Sequence, residues 1–198
     1  MKKVLIINGA PQFAHSGGEL NKTLSEWTID YFRQQKGYDV KYTDINREYD
    51  VEEEVKKFVW SDIVIYHTPI WWFQLPNDFK KYFDEVLTAG HQKGIYFSDG
   101  RRSANPTRNY GTGGLLQGRK YMLTTTWNAP HEAFTIEDEF FKQHGVDDGV
   151  MFGFHRMNAF IGLEPLESFH FYDVMKKTNI EQFEKNYIDH LNKISLNL

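Results

Sequence analysis

The runs "VLII" at residues 4–7 and "IVIYH" at residues 63–67 are apolar, rich in β-branched side chains and free of any alternation between apolar and polar positions. A strand with one wet face alternates, whereas an unbroken run belongs to a strand covered on both faces, as in a parallel sheet layered by helices. The intervening sequence supplies those layers. Leu20, Leu24, Trp27 and Tyr31 recur at helical spacing as one apolar stripe, and Gly37 stands where such a helix would end. "YDVKYTDI" then predicts a second strand, and Val51, Val55, Phe58 and Val59 a second amphipathic helix. After the 63–67 strand, Pro76 suits the first turn of a third helix carrying Phe79, Tyr82, Phe83, Val86 and Leu87. "RKYMLTTT" at residues 119–126 predicts a fourth strand, "SFHFYDV" near residue 170 a fifth, and Ile180, Phe183, Tyr187, Leu191 and Ile194 a closing helix.

Alternating strands and helices imply βαβ units with right-handed crossovers. The expected fold class is therefore α/β, a flavodoxin-like doubly wound five-stranded parallel sheet of order 2-1-3-4-5 with helices on both faces. At 198 residues and 40% hydrophobic content, the chain suits one domain spanning residues 1–198. Its charge of −4 comes from scattered acids and bases, which argues against nucleic acid or an anionic membrane as partner. The absence of cysteine excludes disulfides, thiolate nucleophiles and cysteine-ligated metals, and the histidines show no H-E-x-x-H spacing, so no metal is expected. No stretch approaches the ~18 consecutive apolar residues of a membrane helix, and a cytoplasmic location is the expectation.

In the 2-1-3-4-5 order, ligands bind beyond the carboxyl ends of the strands where strands 1 and 3 diverge. The segments leaving strands 1, 3 and 4 are "NGAPQFAHSGGELNKT", "HTPIWWFQLP" and "TTTWNAPHEAF". The first offers Ser16, Gly17, Gly18, Asn21 and Thr23 just before a helix, where backbone N–H groups and the dipole favour an anion. Ser16 and Asn21 as simple helix caps are the alternative, and His15 is as well suited to a turn as to a ligand. Neither G-x-x-x-x-G-K-[ST] nor G-x-G-x-x-G occurs, which weighs against nucleotide triphosphate hydrolysis and a conventional nicotinamide fold. Trp71, Trp72 and Phe73 would make a flat wall for a planar ring, or else pack a helix. Residues 88–118 hold seven of the fifteen glycines, and "YGTGG" near their end could align main-chain donors on a ring edge. Phosphate, apolar ring and polar ring edge together are the needs of a flavin.

"FAHSGGELN", "PIWWFQLP", "YGTGG", "KYMLTTTWNAP" and "EAF", with "DGR" at 99–101 and "GLEPL" at 162–166, give the chain a near end-to-end resemblance to the modulator of drug activity B family of NAD(P)H:quinone oxidoreductases. The resemblance implies a flavodoxin-like fold, tightly but non-covalently bound FAD, a homodimer, a place in oxidative stress and two-electron reduction of quinones by NADPH or NADH; the mechanism expected for such a site is ping-pong, with nicotinamide and quinone using one place in turn. Carried over residue by residue, it implies that Ser16, Gly17, Gly18, Glu19, Leu20, Asn21, Lys22 and Thr23 hold the pyrophosphate and adenosine of FAD. It places the isoalloxazine against Ile70, Trp71, Trp72 and Phe73, with Tyr110, Gly111, Gly113 and Gly114 nearby, and completes the shell with Thr126, Trp127, Asn128 and Ala129.

The rival readings are an FMN-dependent quinone or azo-dye reductase and a non-catalytic flavin-binding electron carrier on the same fold. No catalytic residue is assigned: His67, His131 and Tyr110 are conceivable proton sources, but packing or solvent-facing roles suit the histidines better. Arg101, Arg102, Arg108 and Lys120 are each able to meet a 2′-phosphate or merely to solvate the surface. Aromatic residues around 71–83 and 152–171 would make a patch suited to dimerisation.

Overall fold

A computed structural model describes residues 1–14, 16–176 and 178–196, and in it the unbroken apolar runs become the middle of a sheet. β1 (Lys2–Asn8) pairs in parallel with β2 (Tyr38–Asp44) on one side and with β3 (Ile63–Pro69) on the other, and β3 pairs with β4 (Arg119–Thr126). Alternate residues of each central strand serve opposite faces. Val4, Ile6, Ile63 and Ile65 pack under α1 (Glu19–Gln34) and α6 (Ile180–Ser195) through Leu24, Phe32, Tyr187 and Leu191. Leu5, Ile7, Val64 and Tyr66 pack under α2 (Val51–Trp60), α3 (Asn77–Ala89) and a helix at Phe152–Ile161 through Phe58, Phe79, Phe83 and Phe154. All seven residues of β3 are buried, which is why its sequence carries no polar alternation.

The expected order is the observed one, β2-β1-β3-β4 and then a fifth position, but that position is filled by two short strands. These are β5 (Leu163–Pro165), paired with residues 119–121 of β4, and β6 (Phe169–Phe171), paired with residues 124–126. Three residues, 166–168, therefore face two, 122–123, a bulge that divides one edge strand into two and makes the sheet six-stranded. Between β4 and β5 lie a short α4 (Glu132–Thr135), a π-helical turn at Val146–Val150 and α5 (Phe152–Ile161), which complete the layer around α3. Pro76 stands just before α3 rather than in its first turn. Gly9, at the end of β1, lies under the Phe79 ring, and a Cβ there would come within 2.3 Å of that ring.

The glycine-rich segment after α3 is pinned by its own backbone. Ile95 accepts from Leu115 at 2.9 Å, Phe97 donates to Gly113 at 2.9 Å and Gly111 donates to Asp99 at 2.7 Å, so two extended arms run side by side to an exposed tip. No helix among the described residues is long and apolar enough to cross a membrane.

One buried carboxylate ties β2, α2 and α3 together. Glu54, 2% exposed, accepts from Thr43 Oγ1 at 2.7 Å and from Tyr82 OH at 2.8 Å, and pairs with Lys57 Nζ at 2.6 Å. Burial, and then the neighbouring Glu54 charge, push the Tyr82 phenol well above its ordinary value, so it stays a donor. Removing the cation strands the carboxylate in the core. Because Lys57 keeps contact with solvent, Lys57→Met is expected to cost about 2 kcal/mol, below the loss seen for fully buried pairs. Urea unfolding checks this: a lower midpoint at unchanged slope is expected, and an unchanged midpoint would remove the pair from the account of stability.

Candidate functional site

β1, β3 and β4 end at Asn8, Pro69 and Thr126, and the three segments that leave them meet at one edge of the sheet. Two contacts fasten them. Ile70 N–H donates to the Thr126 carbonyl at 3.1 Å, and Asn21 Nδ2 donates to Thr126 Oγ1 at 3.0 Å. Asn21 is 3% exposed, yet its Oδ1 has no hydrogen-bond partner among the described residues. An unpaired buried acceptor costs about 1–3 kcal/mol unless something supplies a donor.

The loop before α1 shows why Asn21 is there. Phe13 and Ser16 exchange backbone hydrogen bonds of 3.0 and 2.9 Å, and Ala14 next to Phe13 has φ 49°. His15 lies outside the described residues. Gly18 begins α1 with φ 74°, a conformation that favours glycine, and no side chain caps the helix. Neither Ser16 nor Asn21 therefore acts as the cap, and the first-turn N–H groups are left for another acceptor. Gly17, Glu19 and Lys22 are exposed, Ser16 and Thr23 half-buried, and Leu20 packs into the core beneath α1.

The second segment makes a matching turn, with Trp71 and Gln74 exchanging backbone bonds of 3.0 Å in both directions. Its central residues, Trp72 and Phe73, have φ 48° and 62°, left-handed at both positions, where bulky side chains are rarely found. The expected flat wall of three rings does not form, because the turn sends the rings apart. Trp71 lies 5.7 Å from Phe13, joining the two turns, and Phe73 stacks on Phe140 at 5.3 Å. Trp72 is 91% exposed and touches no other ring among the described residues. Ile70 packs against the core.

Around the third segment the expected shell residues lie at different depths. The Trp127 ring is buried, its indole N–H donating to Thr125 Oγ1 at 2.7 Å and its ring forming a T-shaped pair with Phe134 at 5.0 Å. Its backbone N–H and carbonyl are engaged with Phe171 and Val174, so Trp127 supports the edge from within the core. Thr126 reaches the edge through Asn21, Asn128 is exposed and Ala129 is half-buried. Gly113 and Gly114 are closed by protein: a Cβ would lie 2.0 Å from the Ser98 carbonyl oxygen at the first and 2.2 Å from the Ile161 carbonyl carbon at the second. Close backbone approach requires glycine at both. Tyr110 stands on the exposed side, 5.8 Å from Phe160.

His67 is fully buried, and burial holds its imidazole down to about 3, so it is neutral at neutral pH and packs between α1 and α6 beside Thr28 and Tyr187. Exposed His131 packs edge-on to Tyr172. The cluster that sequence reasoning missed centres on Asp147, in the π-helical turn. His155 Nε2 lies 2.8 Å and His170 Nε2 3.3 Å from Asp147 Oδ1, while their Nδ1 atoms lie 2.6 Å from Tyr121 OH and 2.7 Å from Thr125 Oγ1. This carboxylate thus ties α5 and β6 to β4 below the Trp127 ring. No group of three or more His, Asp or Glu among the described residues is arranged to hold a metal.

The family described as having the flavodoxin-like fold matches residues 2–194. The chain is 50% identical over 191 residues to the NADPH:quinone oxidoreductase MdaB of Haemophilus influenzae, covering 96% of this chain and 98% of that protein. Its fold is similar to that of a candidate quinone reductase from Klebsiella pneumoniae, with a TM-score of 0.73 at 21% identity over 98% of this chain and 85% of that one. It is also similar to general stress protein 14 of Treponema denticola, solved in complex with FMN, with a TM-score of 0.64 at 22% identity over 99% of both chains.

The Asp147 cluster generates a pH prediction. Burial pushes this carboxyl up, but hydrogen bonds from His155 and His170 outweigh that effect and hold it well below the carboxylate range. With the folded value depressed, its stabilisation is present above the unfolded value near pH ~4 and is lost as pH falls toward the folded one. Asp147→Asn is expected to lower stability at neutral pH and to flatten the decline below pH ~4, measured by denaturant unfolding across the acid range. Parallel curves for the two proteins would remove Asp147 from the acid limb.

Proposed function

We propose that this chain, which belongs to the modulator of drug activity B family of NAD(P)H:quinone oxidoreductases within the wider flavodoxin-like family, holds FAD non-covalently and moves two electrons from NADPH or NADH to a quinone. The observation that carries this reading is the buried, unpaired Asn21 Oδ1 beside an uncapped helix N-terminus. That pair of features suits a ligand bearing both an anion and a hydrogen-bond donor, which a flavin dinucleotide is. Ser16, Gly17, Gly18, Glu19, Asn21, Lys22 and Thr23 would hold the pyrophosphate and adenosine, with Leu20 anchoring the loop in the core. Ile70, Trp71, Trp72 and Phe73 would meet the ring system, with Tyr110 beside it. Thr126, Asn128 and Ala129 would line its far edge, stiffened from below by Trp127, while Gly113 and Gly114 set where Tyr110 stands.

Bound FAD would supply hydride acceptance and delivery, so nicotinamide and quinone would use one position in turn, a ping-pong order. The chain's part is to align the rings and exclude competing geometry, which needs no acid–base residue in contact with the ring. Neutral His67 fits that division of labour, being a packed core residue. Trp72 is the group whose exposure a ring would relieve. The homodimer belongs to the same reading. Between α3 and α5 a cavity of about 780 Å³ is lined by Leu75, Leu87, Tyr96, Met157 and Phe160, an apolar face suited to a second copy.

The test is the absorbance spectrum of the purified protein, followed by denaturation and chromatography of the released chromophore. FAD is the expected product. FMN, the ligand of the Treponema denticola protein, would keep the flavin and overturn the pyrophosphate cradle at residues 16–23. Trp72→Ala is expected to weaken flavin retention about 10-fold and to lower quinone turnover without changing the melting temperature of the flavin-free protein, because it removes a stacking surface and no core contact. Unchanged flavin affinity would return Trp72 to the surface. Light scattering is expected to give about twice the 23.4 kDa chain mass.

A further inference from the structure

The apolar surface of the site edge does not stop at Phe73. Phe140, from the segment between α4 and the π-helical turn, lies 5.3 Å from Phe73 with the two ring planes 30° apart, a stacked pair. Phe73 is 44% and Phe140 68% exposed, so the pair carries apolar surface outward from the turn at Trp71–Gln74. One exposed apolar ring means little, but two in contact beside a ligand edge mark a place for an apolar group. Neither ring lines the cavity between α3 and α5 offered above to a second copy.

Phe140 is held in that position by its neighbour. Phe141 donates its backbone N–H to the Ala133 carbonyl at 3.1 Å, and its ring lies flat on Phe134, with centroids 4.0 Å apart and planes within 5°. Phe134 in turn pairs with the buried Trp127 ring. With Phe141 turned inward, Phe140 faces out and is braced by the Phe141 ring, near-perpendicular at 5.0 Å. The chain bends on either side of it, with left-handed φ at Asp138 (65°), Lys142 (48°) and Gln143 (61°). Phe140 follows directly on three exposed acids, Glu137, Asp138 and Glu139, and no Lys or Arg falls between residues 132 and 141. That rim disfavours the phosphates of a nicotinamide nucleotide and leaves an uncharged quinone unaffected.

We infer that Phe140, stacked on Phe73, determines which electron acceptors this chain takes, an inference that rests on the flavin-dependent quinone reduction proposed for the same edge. The Phe140 ring receives the hydrocarbon part of the quinone, the fused ring or alkyl group that extends beyond the quinoid ring. Acceptors that carry such a part gain a stacking surface, and single-ring acceptors do not. The nicotinamide nucleotide, with its phosphates directed away from the acidic rim, does not use Phe140.

The test compares menadione with methylbenzoquinone, which lacks only the fused benzene ring, in the wild type, Phe140→Ala and Phe140→Tyr. Each acceptor is compared with itself across the variants, so the difference in redox potential between the two cancels. The ratio of kcat/KM for menadione to that for methylbenzoquinone is expected to fall about 10-fold in Phe140→Ala, to survive in Phe140→Tyr, and to do so without a matching rise in the KM for NADPH. Equilibrium dialysis of menadione against the oxidised protein, with no NADPH present, is expected to show a similar loss of affinity, about 10-fold, in Phe140→Ala. An unchanged ratio overturns the inference, as does a KM for NADPH that rises with that for menadione. A Phe140→Ala protein that becomes monomeric in light scattering with its selectivity intact also overturns it and gives the ring to an interface between copies. If the protein reduces no quinone, the catalytic reading fails and dialysis alone decides: menadione binding that depends on Phe140 upholds the inference, and binding indifferent to Phe140, or none, overturns it.

Discussion

Burial of β1 and β3 on both faces is the constraint from which the rest of the molecule follows. Once Val4 and Ile6 are committed to the α1–α6 layer and Leu5 and Ile7 to the α2–α3 layer, neither face of the sheet has room for a ligand. Backbone groups are then free only where strands end. At the carboxyl edge Gly9 donates to the His67 carbonyl and Ile70 to the Thr126 carbonyl, so even these ends are stitched to one another before the chain turns away. What remains open is a strip where three loops converge, and the chain's unusual residues are concentrated there.

That strip is legible in the sequence because position follows from strand order, while the use of each side chain depends on turns that the order does not specify. The strands with unbroken apolar runs were readable, as was β4. At the edge, "SFHFYDV" marks β6 but nothing marks β5, which is only three residues long with Glu164 and Pro165 exposed and so carries no hydrophobic pattern. α5 was hidden by its composition: "FGFHRMNAFI" is apolar on several sides and holds a glycine, so no stripe stands out. Asn21 was readable as a site residue but not as a buried clamp on Thr126, a contact across 105 residues. Asp147, His155 and His170 had no signature at all, since only the fold of the edge strand brings them together.

The aromatic turn shows where local preference and tertiary structure disagree. A wall of three rings was a fair expectation for an extended segment, but Trp71 and Gln74 pair across a turn that demands left-handed φ at Trp72 and Phe73. Such conformations cost of order 1–3 kcal/mol each and persist only where surroundings compensate. Phe73 is compensated by stacking on Phe140 and meeting Phe141 edge-on. Trp72 is not, since it is strained and exposed together. Strain without internal compensation, at the edge where three loops converge, is the feature that the proposed flavin contact accounts for.

The glycines of "YGTGG" carry the same lesson in the opposite direction. Their sequence suggests a bare backbone laid against a ligand, yet Gly113 and Gly114 are occupied by the backbones of Ser98 and Ile161. Glycine is required there so that two extended arms can close on each other and on the end of α5. The consequence reaches beyond the glycines: closing the arms holds the stacked rings of Tyr96, Phe160 and Tyr110, and with them the exposed tip. A substitution at Gly113 would therefore act on the edge through the geometry of the loop, not through a lost contact. With its root pinned in this way, the exposed tip is ordered when the chain folds, and the entropic cost of ordering it falls on folding.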